Sequence, residues 1–575
     1  KITWFKDAKL NVCFNCVDRH LSTQADKIAI LWEGDNLHRR QAISYQRLHE
    51  RVGRFANVLK SQGVQKGDRI CLYLPMIPDA VVAMLACARV GAVHCVVFAG
   101  FSANALADRI RDAGCKMVIT ADEGVRSGKV FALKRAVDEA LTKVAVKKVI
   151  VFKNSGGQVP MRVARDSWYH ELAFGISTSS VPEVMDAEDP LFILYTSGST
   201  GTPKGILHTS GGYLLYSAVT FNFVFDYNAQ DIFWCTADIG WITGHSYGVY
   251  GPLANGATIV LYEGIPTAPD PSIAWKIVDR YQVSIFYTAP TAIRSLMAHG
   301  DEPLATSDRG SLRLLGSVGE PINPEAWRWY HDKVGKGRCQ IVDTWWQTET
   351  GGIMIAPIPN VSRQKPGSAA TPFLGIIPAI CNDDKQVVKQ GEPGFLLITR
   401  SWPGQARGIY GNPQRFLKGY FSAFPGNYFT GDGAFQDSDG DYWLTGRVDD
   451  VINVSGHRLG TAEIESALVL HPAVAEAAVI GAPHAIKGEG IYAFVTLVEG
   501  QSMTPLLENA LKQQIANEIG KFAIPEMIHF APKLPKTRSG KIMRRILRCI
   551  VTGELDKMGD VSTLADPEVL SLLLK

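Results

Sequence analysis

The sequence predicts an α/β protein, with a large multi-layer N-terminal domain of mixed sheets flanked by helices and a small α+β C-terminal domain. Two observations carry that prediction. Between about residues 50 and 450, short apolar runs alternate with stretches of helical period, the pattern of sheets covered by helices. After Arg447 the alternation gives way to a helix, two strands and a second helix. At 575 residues the chain is also too long for one hydrophobic core.

Arg69 to Leu74 reads as a strand, Asp79 to Val90 as a helix and Ala92 to Phe98 as a further strand. Lys116 to Thr120, Lys148 to Phe152, Asp231 to Thr236, Thr258 to Tyr262, Ser284 to Tyr287 and Leu312 to Gly316 continue the strand series. Polar, glycine-bearing segments follow at Thr196, Ala237-Asp238, Gly316 to Pro321 and Thr344 to Gly352. Ligands of open α/β sheets bind beyond the carboxyl ends of strands, so these four loops are expected to ring one site. Farther on, Thr461 to Leu470 places Ile464, Ala467 and Leu468 at helical spacing, with Glu463 and Glu465 in its first turns. Strands are expected over Val474 to Gly481 and Ile491 to Val498. A helix from Thr504 to Ile519 presents Leu507, Leu511, Ile515 and Ile519 on one face. The junction falls in Arg447-Val448-Asp449-Asp450, which divides the chain into residues 1–448 and 449–575.

Charge is nearly balanced, 59 basic against 56 acidic residues, which gives no general argument for nucleic acid or an anionic membrane. No stretch approaches the ~20 apolar residues of a membrane span. The ten cysteines lack framework spacing, and Cys71, Cys87, Cys95 and Cys235 sit in apolar runs. Buried thiols in a reducing, cytoplasmic compartment are expected. Cys13-x-x-Cys16 has no partner pair and does not make a zinc site. The chain starts at Lys1 without methionine, so an upstream targeting segment, and with it an organellar form, stays open.

Thr196-Ser197-Gly198-Ser199-Thr200-Gly201-Thr202-Pro203-Lys204-Gly205 follows the apolar run Leu191 to Leu194. Glycines, hydroxyls and a lysine in so short a loop suit a backbone that wraps a polyphosphate. It is not a Walker loop: counting from Gly198, the second glycine would fall on Pro203, and Lys204 is followed by Gly205. A second basic segment carries Lys533, Lys536, Arg538, Lys541, Arg544, Arg545 and Arg548 without an acid. It reads as a nucleic-acid patch, a solvated helix face, or a Pro/Gly/Ser loop that delivers one lysine to a site elsewhere.

Ordered motifs narrow the choice. The first loop, Tyr428-Phe429-Thr430-Gly431-Asp432, Gly446-Arg447-Val448-Asp449-Asp450 and Ser539-Gly540-Lys541 stand in the order seen in adenylate-forming enzymes, which the chain resembles over its whole length. Ala237 to Ser246, Gly319 to Trp327, Asp343 to Gly352, Asn453 to Arg458 and Leu534 to Arg548 are similar to the acetate-activating acyl-CoA synthetases of that superfamily. The resemblance implies ATP-dependent ligation of acetate to CoA through an acetyl-adenylate, with pyrophosphate and AMP released. ATP, CoA and acetate are the implied partners, Mg²⁺ the cofactor, and no nucleic acid or membrane is involved. A propionate-preferring synthetase and a non-catalytic nucleotide sensor on the same fold are the alternatives.

By resemblance, Lys541 serves the first half-reaction at the acetate carboxylate and α-phosphate. Thr196, Ser197, Gly198, Ser199, Thr200, Gly201 and Lys204 grip the departing phosphates. Gly319, Glu320, Pro321, Asp343, Thr344, Trp345, Trp346, Gln347 and Thr348 line the adenine and α-phosphate, and Arg447 and Arg458 reach ribose and phosphate. Asp432 accepts both ribose hydroxyls, one on each carboxylate oxygen. Glu349 is the Mg²⁺ ligand, and Val469, His471 and Val474 match a second cation site. Trp346 closes the acyl pocket with Ile242, Thr243 and Val318, and its indole excludes acids longer than acetate by steric obstruction. Ser455, Gly456, Thr243, Thr267, Arg126 and Lys129 fall on the CoA path. Lys129 and Thr267 depart from the family's arginine and asparagine, and Ala516 stands where an arginine would reach CoA. Asp449 matches the hinge about which a mobile C-terminal domain exchanges the Lys541 loop for the Ser455-Gly456 face. Lys541 is in addition a target for acetylating and deacetylating enzymes.

Overall fold

The computed structural model describes residues 2–196, 204–448, 451–454, 457–484, 488–519, 523–537, 540–559, 561 and 564–574. Two sheets make the framework. In the first, eight strands lie in the order Asp166–Trp168, Lys148–Phe152, Met117–Ala121, Arg69–Tyr73, Val93–Val96, Pro190–Thr196, Lys204–Thr209 and Gly408–Ile409. The second has seven, in the order Gln340–Thr344, Leu314–Val318, Ile285–Thr288, Ile232–Cys235, Thr258–Tyr262, Ile28–Glu33 and Arg40–Ser44. Its strands run parallel except for the last, antiparallel pair. Strands such as Met117–Ala121 and Leu314–Val318 are buried along their whole length, because helices cover both faces. One continuous core reaches from Val12 to Tyr442 and includes Tyr73, Phe192, Tyr247 and Trp402. All ten cysteines are free and buried, as expected from their apolar runs.

The strands and the helix read from the first sheet recur within a residue or two; the helix is Pro78–Arg89, with proline in its first turn. The strand expected over Leu312 to Gly316 is displaced to Leu314–Val318. Not anticipated were the N-terminal pair Ile28–Glu33 and Arg40–Ser44, the helix Ser210–Val224, and the π-helix Gly244–Tyr250 that follows Thr243. The helix Ser210–Val224 has apolar residues around most of its circumference and is largely buried, with Leu215, Asn222 and Phe223 exposed, so it shows no amphipathic period.

A four-stranded antiparallel sheet comes next, Pro378–Cys381, Gly394–Ile398, Tyr428–Gln436 and Tyr442–Arg447. The C-terminal region has a five-stranded sheet in which Val474–His484 and Gly488–Leu497 form a long antiparallel pair, with Met527–Phe530 parallel to the latter. These two strands outrun the sequence expectation because the ladder continues past Gly481, the expected end, through Pro483 to His484. The helices Thr461–Val469 and Pro505–Glu518 cover one face around Ile464, Leu468, Leu511 and Ile515. Thr504 caps the second helix by accepting from the Leu507 N–H. Arg544–Thr552 covers the other face with Ile546 and Leu547.

Candidate nucleotide and acyl site

Four neighbouring parallel strands, Ile232–Cys235, Ile285–Thr288, Leu314–Val318 and Gln340–Thr344, end at one edge of the seven-stranded sheet. Their continuations bring Asp238, Thr291, Glu320 and Trp345 to that edge, so three of the four expected loops converge by topology alone. Gly319 turns at φ +100°, in the left-handed region where only glycine is unstrained. Glu320 then accepts from the Thr291 hydroxyl and from Arg294 Nη2 at 2.9 Å.

Asp343 and Thr344 are buried at the end of their strand. Ser317 donates to Asp343, yet burial pushes that carboxyl up to about 7. Thr344 donates to the Ser317 carbonyl at 2.8 Å and shares a 2.7 Å hydrogen bond with the Tyr287 hydroxyl. Trp346 Nε1 donates to the same hydroxyl at 3.2 Å, and the indole stands edge-on to Tyr247, 5.0 Å between ring centres. Ile242, Val318 and Trp346 are buried in one core, with Thr243 half-buried beside them in sequence. The indole is thus held at both ends, as a rigid wall must be.

Asp432 comes from the four-stranded sheet, opposite Arg447 in register. Trp345 Nε1 at 3.0 Å and Gln347 Nε2 at 2.6 Å both donate to its Oδ2, while Arg447 Nη1 approaches Oδ1 at 3.5 Å. Tyr428 in turn donates to Gln347 Oε1 at 2.8 Å. Burial raises the Asp432 pKa; Arg447, Trp345, Lys541 and Gln347 oppose that rise. The loop of Lys541 packs on the N-terminal region: a Cβ on Gly540 would stand 3.1 Å from Thr291 Cγ2. The Lys541 N–H donates to Thr537 Oγ1 at 3.1 Å, and the side chain is exposed.

Glu349, in the short 3₁₀ turn Thr348–Thr350, is 9% exposed and accepts from the Tyr420 hydroxyl. That hydroxyl accepts from Lys204 Nζ at 3.0 Å, and the ammonium lies 5.1 Å from the Tyr420 ring centre. Glu349 is therefore linked to the strand that follows residues 197–203. Thr196 pairs with Lys204 across the strands, and its Oγ1 is buried with no partner among the described residues. The Thr348 carbonyl is held by His208 Nε2 at 2.7 Å. One carboxylate backed by a phenol beside a phosphate-type loop suits Mg²⁺, which keeps waters and phosphate oxygens as its other ligands.

Arg126 lies beside Asp238, whose pKa it lowers against the raising effect of burial, and its guanidinium sits 5.5 Å from the Phe98 ring centre. Lys129 faces Arg126 across a hairpin and is exposed. Thr267 is half-buried in a turn, and Ala516 half-buried on the helix Pro505–Glu518. His471 Nδ1 accepts from the Ala473 N–H at 3.2 Å, so one ring nitrogen caps the chain between Val469 and Val474. Ser197, Gly198, Ser199, Thr200, Gly201, Asp449, Ser455 and Gly456 lie outside the described residues, as does the side chain of Arg458. The basic segment is largely paired within the chain: Lys533 with Asp566 at 3.0 Å, Lys536 with Glu476, and Arg544 with Glu465 at 2.7 Å. No helix among the described residues is long and apolar enough to cross a membrane.

Sequence reasoning missed Tyr287, Tyr420 and Thr291, and gave Tyr428 no role although it opens the motif of Asp432. The first three stand in no glycine-rich motif, and a tyrosine in an apolar stretch such as Phe286-Tyr287 reads as core.

Comparison with known proteins places the chain in a family. Residues 17–410 match the model of the AMP-binding enzyme family, and residues 463–541 that of the AMP-binding enzyme C-terminal domain. The acetyl-coenzyme A synthetase of Psychromonas ingrahamii is 62% identical over 578 residues, spanning 100% of this chain and 89% of the relative. Acetyl-coenzyme A synthetase 2 of Pseudomonas aeruginosa is 59% identical over 573 residues, with the same shares. Among solved structures, the acetoacetyl-CoA synthetase from Streptomyces lividans superposes with a TM-score of 0.90 at 26% identity, covering 100% of this chain and 87% of that one. The chain belongs to the AMP-binding enzyme family and, within it, to the acetyl-coenzyme A synthetases.

Proposed function

We propose that the chain ligates acetate to coenzyme A at the expense of ATP, in two steps at one site. An acetate oxygen attacks the α-phosphorus, the bond to the bridging oxygen of the β-phosphate breaks, and pyrophosphate leaves. The CoA sulfur, having lost its proton, then attacks the acetyl carbonyl carbon and AMP leaves with the electron pair of the broken C–O bond. The reading is supported above all by the packing of the Lys541 loop, through Gly540, against Thr291 at the strand edge that carries Glu320 and Trp345, near enough for the ammonium to lower the pKa of Asp432.

Each residue has work that its contacts suit. Trp345 and Gln347 occupy Oδ2 of Asp432 and fix its rotamer, so ribose hydroxyls fall to Oδ1, on the side of Arg447. This is narrower than one hydroxyl on each oxygen. The Lys541 ammonium adds positive charge where acetate and α-phosphate bring negative charge together. Lys204 faces the leaving pyrophosphate, steadied by Tyr420. Glu349 would hold Mg²⁺, whose charge offsets that of the phosphates when it is bound. Acetylation of Lys541 would remove its charge and with it the first step. For the second step, residues 1–448 and 449–575 would act as two bodies turning at Asp449, with Ser455 and Gly456 opening the thiol path and Arg126 meeting the nucleotide end of CoA.

Trp346 sets the length of the acid. One methylene is worth only ~1–3 kcal/mol in an apolar pocket, so obstruction must do the rejecting. Pyrophosphate release measured with acetate, propionate and butyrate tests this. The wild type is expected to prefer acetate and Trp346→Gly to accept the longer acids; acetate preference retained in Trp346→Gly would refute the size gate.

A further inference from the structure

A second charged cleft lies away from these residues. It has a volume of about 410 Å³ and is lined by Gln41, Ile43, Arg47, Arg51, Arg54, Asp79 and Tyr169, none of which belongs to the nucleotide or acyl site. The three arginines stand on the helix Tyr45–Ser61 at i, i+4 and i+7, hence on one face. Their placement opposes helix stability. Arg47 is in the first turn, where the helix dipole disfavours cations and no acidic residue compensates, and Arg47 and Arg51 are like charges four apart.

Partners neutralise only part of this charge. Arg51 Nη2 donates to Asp79 at 2.7 Å and its Nη1 to Gln41 at 3.2 Å. Arg47 Nη1 turns to Glu50 at 3.0 Å. Arg54 has neither a hydrogen bond nor an ion pair among the described residues, and its Nε is shut off from solvent. Arg51 and Arg54 both lie close enough to Tyr169 to act on its hydroxyl, whose pKa burial raises and Asp79 raises further. An unpaired guanidinium edge, a second arginine already oriented by Gln41 and a neutral phenol converge on a space that Asp79 alone supplies with negative charge.

We propose that this cleft is an anion site for a phosphate group, either free phosphate or the phosphate of a small ester. Arginine forks match phosphate oxygens in pairs, the phenol adds a donor, and a bound dianion would relieve the repulsion along the helix face. The test is calorimetric titration of the full chain with inorganic phosphate and with methyl phosphate, alongside melting curves. Binding of both probes identifies free phosphate as sufficient; binding of methyl phosphate alone identifies an ester. In either case Arg54→Gln is expected to weaken binding about tenfold or more. It is also expected to raise the melting midpoint in phosphate-free buffer, because one of three like charges on the same helix face is gone. Arg47→Gln, at the exposed end of the row, gives the same loss of binding should Arg54→Gln not fold. Absence of binding to the wild type, or binding of equal strength in both variants, overturns the proposal.

Discussion

Tyr420 shows how much a single hydroxyl carries in this site. It donates to the buried Glu349 carboxylate and accepts from Lys204, so it couples the candidate metal ligand to the phosphate loop. Tyr420→Phe would leave a carboxylate oxygen without its donor, a loss of about 1–3 kcal/mol at a desolvated group. Acetate-dependent pyrophosphate release is expected to fall about tenfold or more, while conversion of supplied acetyl-adenylate and CoA stays unchanged. Equal loss in both assays would mean that Tyr420 only stabilises the fold. Nothing near Tyr420 in the sequence marks this role, because its partners are 71 and 216 residues away. Asp432 and Glu349, by contrast, were legible from the short motifs around them. The donors to Asp432, Trp345 and Gln347, were legible only as lining residues, not as the pair that fixes one carboxylate oxygen.

At the scale of elements, the hairpin of Tyr428–Gln436 and Tyr442–Arg447 sets the Asp432–Arg447 pair through register. Gly431 makes the geometry: its φ is +71°, and a Cβ there would come within 2.8 Å of Arg447 Nη2. Gly431→Ala therefore combines backbone strain of about 1–2 kcal/mol with displacement of the guanidinium. The expected result is weaker ATP binding, read as a raised KM for ATP, with the melting midpoint lowered by only a few degrees. An unchanged KM would show that Arg447 does not need this position. The strand series and amphipathic helices were legible because period and composition are local properties. The N-terminal strands and the helix Ser210–Val224 were not: the first pairs with a strand more than two hundred residues away, and the second carries apolar residues on its exposed side as well as its buried one, which erases the period.

Across the whole molecule the Lys541 loop meets Thr291 and acts on Asp432, the arrangement suited to adenylation. Lys541→Ala is expected to abolish pyrophosphate release from ATP and acetate yet still convert supplied acetyl-adenylate and CoA; failure in the second assay would assign Lys541 to both halves. The centre of the molecule also fixes a pH limit. Burial holds His208 down at about 3 and His245 at about 4, and it lowers His94 as well. Each imidazole is neutral in the folded chain, whereas the unfolded chain takes up a proton near 6.5. The histidines' share of stability is thus full above about pH 6.5 and declines as pH falls toward the folded values, while the raised carboxyl of Asp343 offsets part of that loss below about pH 7. Each histidine contributes up to about 1.4 kcal/mol per pH unit. Denaturant midpoints at pH 7 and pH 5 are expected to drop accordingly, and His208→Gln should flatten the slope; a slope unchanged in that variant would place the acid sensitivity elsewhere.

The sequence by itself determined the fold class, the two-part organisation and the motif residues of the site, because each is written in local period, glycine placement or an ordered run of side chains. The tertiary structure decided what those residues touch. Topology put four parallel strand ends side by side, so Thr291, Glu320 and Trp345 share one edge. Packing brought Tyr287 to Trp346 and Tyr420 to Glu349. Such pairings form across loops of many residues and leave no spacing rule in the chain, since the contact energy depends on which surfaces meet rather than on which residues are neighbours.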